Sequence, residues 1–329
     1  MAVLILALAS GLDAQATTPP PAGDASEHSA KVREAAERGD AQAQHDLGVM
    51  YADGIGVPKD DAKAVEWWRK AAEQGHAQAQ SNLGEMYADG IGVPKDDAKA
   101  VEWFRKAAEQ GYAPAQSNLG VMYRDGTGVP KDDAKAVEWY RRAAEQGLAD
   151  AQTKLGLMYQ IGTGVPKDEA KAAEWIRKAA EQGVVFAQVN LGFSYGIGRG
   201  VPKDEAKAVE WYRKAAEQGD ALAQSNLGEM YRDGTGVPKD DALAVEWIRK
   251  AAEQGLARAQ YELGFMYANG RGVSKNNILA HAWLSLAASQ GDGDAAELRN
   301  AVAREMTKEQ IAEAERIARE FKPKVNPVN

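Results

Sequence analysis

The residues able to do chemistry in this chain are few and scattered. Histidines stand at positions 28, 45, 76 and 281, acidic pairs such as Asp60-Asp61 and Asp168-Glu169 recur, and turns of the form Gly54-Ile55-Gly56-Val57-Pro58 return along the chain. The histidines fall in different stretches, no HExxH spacing occurs and cysteine is absent, so no metal site and no cofactor is expected. His45 reads as a surface residue. His281 takes the place of a repeated Val at a packing position and reads as a satisfied interior or groove histidine. Paired carboxylates can act as general acid and base, but these fall where helix N-termini favour negative charge and read as caps. The glycine turn is phosphate-like only superficially, because it follows a helix and not a strand. No serine is followed three residues later by lysine, which removes the Ser-x-x-Lys nucleophile arrangement.

The elements that would have to position such residues are bounded by composition. The chain has 329 residues, enough for two domains of ordinary size. Its 40 basic against 48 acidic residues leave a formal charge of -8 and no basic segment, which argues against nucleic acid as a partner. No apolar run reaches the roughly 18 residues of a membrane span. Met1 to Ala9 is almost wholly apolar and Ala14-Gln15-Ala16 has the small-x-small form that signal peptidase cleaves, although no Lys or Arg precedes the run. Residues 1–16 are therefore read as a signal peptide, residues 17–28, with Pro19 to Pro21, as a disordered linker, and residues 29–39 as an N-terminal capping helix. Export would place the product in the periplasm or outside the cell, and an unprocessed chain would be a cytoplasmic adaptor.

Self-similarity then replaces the two-domain estimate. Gly39, Gly75, Gly111, Gly147, Gly183, Gly219, Gly255 and Gly291 are spaced by 36 residues and bound seven units: 40–75, 76–111, 112–147, 148–183, 184–219, 220–255 and 256–291. Each reads as two helices. In the first unit Ala43, Leu47, Met50 and Tyr51 share one helical face, Gly54 closes that helix, and Asp60 or Asp61 opens the second. The second helix carries Ala64, Trp67, Trp68, Ala71 and Ala72 on its apolar side, and the Lys and Arg beside the Trp, such as Arg69 and Lys70, read as a solvated face. Residues 292–329 read as C-terminal capping helices and a tail, with Thr307 to Gln310 spaced as a capping box. The expected fold is an all-α, right-handed α-solenoid.

The unit resembles the Sel-one-like repeat, a relative of the tetratricopeptide repeat. Ala43-Gln44, Leu47-Gly48, Tyr51, Gly54, Gly56-Val57, Ala64, Trp67 and Ala71-Ala72 before Gly75 carry the resemblance, which runs without a gap from residue 40 to 291. With the apolar N-terminus, it points to the exported bacterial type. The resemblance implies a protein-protein interaction scaffold that holds a peptide or protein in the concave groove lined by the first helices, acting as a monomer without an enzymatic activity. Some cysteine-rich relatives are assigned β-lactamase activity, so a cell-wall or β-lactam hydrolase is the alternative, disfavoured because no catalytic constellation is seen.

The seven copies differ at the third, sixth, tenth and thirteenth positions, which lie on one side of the first helix, away from the Ala-Leu-Tyr face. Most copies place polar residues at the third and sixth of these. The fifth has Phe186, Val189 and Phe193, and the seventh has Arg258, Tyr261 and Phe265. Aromatic residues and arginine are the composition of binding hot spots, so these six, with Arg124 and Arg232 as charge contacts, are the candidate partner-binding residues. The competing reading is packing against a neighbouring helix or the C-terminal cap.

Overall fold

Two helices of 13 residues form in each repeat for local reasons. Asp60 lies just ahead of the second helix in extended backbone, and its carboxylate accepts the Lys63 N–H at 3.0 Å. That hydrogen bond holds its carboxyl below the usual carboxylate range. Asp96, Asp132, Asp168 and Asp204 repeat the contact at the same distance, and Asn276 does so in the last repeat. The first of the two acids, and not the second, is thus the cap. Gly54 ends the first helix with φ +72°, in the left-handed region that the cap requires.

In the computed structural model, which describes residues 22–324, the chain forms two compact units, residues 1–131 and 132–329. The first contains α1 (Ala22–Glu37), α2 (Ala41–Asp53), α3 (Asp61–Glu73), α4 (Ala77–Asp89), α5 (Asp97–Glu109) and α6 (Ala113–Asp125). The second contains α7 (Asp133–Glu145), α8 (Ala149–Ile161), α9 (Glu169–Glu181), α10 (Val185–Ile197), α11 (Glu205–Glu217), α12 (Ala221–Asp233), α13 (Asp241–Glu253), α14 (Ala257–Asn269), α15 (Asn277–Ser289), α16 (Gly293–Ala303) and α17 (Lys308–Glu320). Within each unit each helix packs on the next in sequence, except that α17 packs on α15 and not on α16. The architecture is all-α, of the α-solenoid type, and no strand occurs among the described residues.

Helix α1 begins at Ala22, so helix occupies residues 22–28, where a disordered linker is expected from the sequence. Beyond Pro21 the segment contains no proline, and its Ala, Glu and Lys favour helix. The expected signal peptide, Pro19 to Pro21 and the last five residues lie outside the described residues.

Small residues let the backbones approach. In the first unit Ala43, Leu47 and Met50 pack against Ala64, Val65, Trp68, Ala71 and Ala72, all buried. Trp67, which recurs in every repeat, is only half-buried; the Lys70 ammonium lies 3.8 Å from its ring centre, and Lys106, Arg142, Lys178, Lys214 and Lys250 cover the equivalent tryptophans. The neighbouring arginines bridge repeats. Arg69 donates to the Tyr87 hydroxyl at 3.1 Å, and Arg177, Arg213 and Arg249 do the same to Tyr195, Tyr231 and Tyr267 in the second unit. These arginines are therefore structural staples, while Lys70, Lys106, Lys214 and Lys250 remain exposed over the rings.

A buried glutamine ladder reinforces the stacking. In the first unit Gln44 and Gln80 donate to the carbonyls of Ala36 and Ala72, and their own side-chain oxygens accept from Gln74 and Gln110 at 2.7 Å. The second unit repeats this at Gln152, Gln188, Gln224 and Gln260. A polar side chain tolerates burial when its hydrogen bonds are made, and here they join each helix pair to the adjacent ones.

Helices also pack on the first and the last repeat. Ala36 of α1 is fully buried against α2. At the other end Thr307 and Gln310 form the capping box of α17, Phe321 meets the Trp283 ring edge-on at 5.4 Å, and Lys324 bonds Glu253 through both backbone and side chain.

Candidate interaction face

The first helix of each repeat turns its Ala-Leu-Gly side inward, and its variable positions differ in exposure: on α10, α12 and α14 the third is open to solvent, whereas the sixth is enclosed, Ser225 fully so. On α10 these are Phe186, Val189 and Phe193. Phe186 and Phe193 are exposed, Val189 is half-buried against the core, and the Arg199 guanidinium stands 5.2 Å from the Phe193 ring. Burying an aromatic ring is worth a few kcal/mol, so two such rings left in water on one helix face mark a surface suited to a partner.

The arginines are differently placed. Arg258 reaches from α14 to Glu229 of α12 at 2.5 Å and keeps most of its side chain in solvent. Arg232 is largely buried between Asp233, bound through two nitrogens, and Glu262. Arg124 belongs to the first unit and forks onto Asp125. Tyr261 packs on the cluster of Ala280, Leu284 and Ala295 at the C-terminal cap, and burial raises its hydroxyl pKa. Phe265 is half-buried, and its carbonyl accepts from Asn269. The second unit thus carries Phe186, Val189, Phe193, Arg232, Arg258, Tyr261 and Phe265 on α10, α12 and α14, with Val189, Arg232 and Tyr261 enclosed by packing. Of these, Phe186, Phe193 and Arg258 offer substantial free surface.

Burial is also felt by the groups under this face. Glu229 is pushed up by burial, with Arg258 opposing, and Tyr212 is pushed up to about 12 by burial and by the nearby Glu229 carboxylate. Three exposed residues escaped the sequence reading: Leu222 at the third position of the sixth repeat, and Ile161 and Ile197 at the end of α8 and α10. The signal was present, since other copies have Asp53, Asp89, Asp125 and Asp233 where these isoleucines stand.

The histidines bring a correction. His45 is not a surface residue; its side chain is 12% exposed, and its ring stacks on His76 with centroids 4.8 Å apart. His76 caps α4: its Nδ1 accepts the Ala79 N–H at 3.2 Å and its Nε2 donates to Gln42 at 3.1 Å, which requires the neutral ring. Burial and His45 lower its pKa, while Asp46 and Asp40 oppose. The unfolded chain therefore takes up the proton first, so the stability of this cap is complete above about pH 6.5 and is lost as the pH falls from there through the lower folded value. Unfolding midpoints measured between pH 7.5 and 5 should fall by up to about 1 kcal/mol more in the wild type than in His76→Asp, which caps without titrating in that range. Parallel pH profiles would remove this role. His281 is buried near Ser285, and burial together with Arg299 lowers its pKa.

Among the described residues, no three His, Asp or Glu are grouped to hold a metal ion, and no helix is long and apolar enough to cross a membrane. The glycine turn docks on protein: a Cβ at Gly92 would run into the Asp61 carbonyl, an acceptor, where a phosphate site would need donors.

Helix pairs joined by repeated polar staples, with their variation gathered on the first helices, define a helical-repeat protein of the tetratricopeptide-related class. Residues 41–76, 77–112, 113–148, 149–184, 185–220, 221–256 and 257–292 match the family described as Sel1 repeat. Among solved structures, a Sel1 repeat protein from Oxalobacter formigenes is 40% identical, with 84% of this chain and 80% of that chain covered and a TM-score of 0.65. A protective antigen present in uropathogenic Escherichia coli strains, displaying an SLR fold, is 32% identical over 88% of this chain and 85% of its own, with a TM-score of 0.51. A comparison with curated proteins finds no match. The chain belongs to the Sel1 repeat family, whose members are generally protein-protein interaction scaffolds and typically non-enzymatic.

Proposed function

We propose that this chain is a non-enzymatic scaffold of the bacterial cell envelope, periplasmic or secreted, that binds a peptide or protein partner on the first-helix face of its second unit. The observation that carries the reading is the pair Phe186 and Phe193, two large rings left exposed on one side of α10. Val189 supports the two rings from below, and Arg258 and Arg232 supply charge contacts beside them. Tyr261 and Phe265 extend the face toward the C-terminal cap. The envelope assignment rests on the apolar Met1 to Ala9 and the Ala14-Gln15-Ala16 site. The protective antigen of uropathogenic Escherichia coli is a relative consistent with it.

Affinity capture from envelope extract tests the reading. Wild-type protein should recover a partner that the Phe186→Ala, Phe193→Ala double variant recovers at least about tenfold less, since paired aromatic anchors contribute 2 kcal/mol or more each. Equal recovery by both would remove the face from the assignment. Both side chains stand in water, so the variant keeps its fold, which circular dichroism checks.

A further inference from the structure

The exposed apolar residues of the second unit are not confined to the two phenylalanines. Phe186, Phe193 and Ile197 are 54%, 43% and 53% exposed and stand at i, i+7 and i+11 of α10, a single stripe about 16 Å long at 1.5 Å per residue. Ile161, 71% exposed, ends the preceding first helix α8, and Leu222, 47% exposed, begins the following one, α12. Repeat equivalence sets Leu222 against the stripe. Arg258 and Glu229 are the third residue of one repeat and the tenth of the repeat before it, and they touch at 2.5 Å. Leu222 and Phe193 bear that same relation. The apolar band therefore crosses α10 and α12 and ends at the Arg258–Glu229 pair.

Charge around the band is asymmetric in what it shows to solvent. Arg199 stands over Phe193 and forms no ion pair among the described residues. Arg258 keeps 60% of its side chain exposed, whereas its partner Glu229 keeps 15%. Glu262 is equally enclosed beneath Arg232, Asp233 is held by two Arg232 nitrogens, and Asp150 pairs with Lys154. Ile161 and Ile197 also replace the aspartates that other copies place at those helix ends. In a chain of charge -8, this face is apolar, depleted of free carboxylates and rimmed by guanidinium groups.

We propose that the band on α10 and α12 binds an acidic peptide segment bearing large apolar side chains, its apolar residues on the Phe186, Phe193, Ile197 and Leu222 surface and its carboxylates at Arg199 and Arg258. This rests on the interaction reading above and names the chemistry of the partner. Guanidinium forks suit carboxylates, and the buried Glu229 holds the Arg258 fork in place without competing for solvent-side acceptors.

Two fluorescein-labelled twelve-residue probes decide it, one alternating Leu and Phe with Glu and the other carrying Lys in place of each Glu. Anisotropy titrations at low salt with the full chain should show the acidic probe bound about tenfold or more tighter than the basic one. Arg199→Gln and Arg258→Gln should each narrow that preference; Arg199→Gln breaks no ion pair and serves as the variant with least structural cost. Ile197→Asp, which restores the residue other copies carry and so preserves folding, should weaken the acidic probe several-fold. A basic probe that binds equally or better overturns the acidic-partner inference while the interaction face stands. Binding of neither probe overturns it as well. Binding that ignores Phe186→Ala, Phe193→Ala overturns the face itself. A self-associated chain that these two substitutions return to monomer in sedimentation would make a second copy the occupant and would also overturn the inference.

Discussion

Replacing Gly200 by alanine is expected to destabilise the second unit by about 3 kcal/mol or more, whereas the same change at Gly196 should stabilise it by about 0.5–1 kcal/mol. Gly200 closes the turn of the fifth repeat with φ +69°, a conformation that costs any L-residue, and its missing Cβ leaves room for the Glu169 carbonyl at the start of α9. Alanine there collides with backbone, which cannot swing aside as a side chain can. The turn would lift off α9 and weaken the seam between the fourth and fifth repeats, where a solenoid keeps its nearest-neighbour stability. Gly196 lies inside α10 at ordinary helical φ, with only the Ala208 Cβ at 3.9 Å from the modified position. Alanine fits, and it reduces the freedom of the unfolded chain. Urea unfolding, with hydrogen exchange of the α9 and α11 amides, separates the two. A Gly200→Ala variant as stable as wild type would remove this account of the turn.

The second large effect distinguishes two adjacent tryptophans in the first unit. Trp68→Ala should cost about 3–5 kcal/mol, the range for truncating a buried aromatic ring, and Trp67→Ala only about 1–2 kcal/mol. Trp68 is 6% exposed, lies flat on the α2 backbone where Gly48 leaves space, and donates its indole N–H to the His45 carbonyl at 3.1 Å. Truncation removes the ring and leaves a cavity in the centre of the helix pair. Trp67 loses a half-exposed ring and one Lys70 contact. Thermal unfolding of the two variants gives the ranking directly, and the opposite order would mean that recurrence along the chain tracks burial, contrary to the geometry.

That contrast shows why some features were legible in the sequence and others were not. Repeat length, helix ends, the Asp caps and the capping box at Thr307 depend on bonds between residues three or four apart, so local spacing specifies them. The helix that α1 forms from Ala22 was obscured by the proline run before it. The glutamine ladder and the Arg–Tyr staples join residues 30 and 18 positions apart, and no local pattern distinguishes Gln44 or Arg69 from an exposed polar residue. His45 and His76 belong to different repeats, and only stacking places their rings in contact.

For the interaction face the division is similar. Comparison among the seven copies singles out Phe186 and Phe193 as aromatic residues at variable positions of one helix, and the structure leaves both exposed. It treats Arg232 and Arg258 alike, whereas packing encloses Arg232 between two carboxylates and holds Arg258 outward. Tyr261 has the composition of an anchor and lies against the cap.

By itself, then, the sequence determined that this chain is built of repeated helix pairs, where the helices of each repeat start and stop, and which positions vary from copy to copy. These are properties of short range and of repetition. Only the tertiary structure decided which aromatic ring is core, which arginine is free, and which polar side chains join one repeat to the next. Burial depends on the neighbouring helix, and the distance to that neighbour is set by the small residues of both.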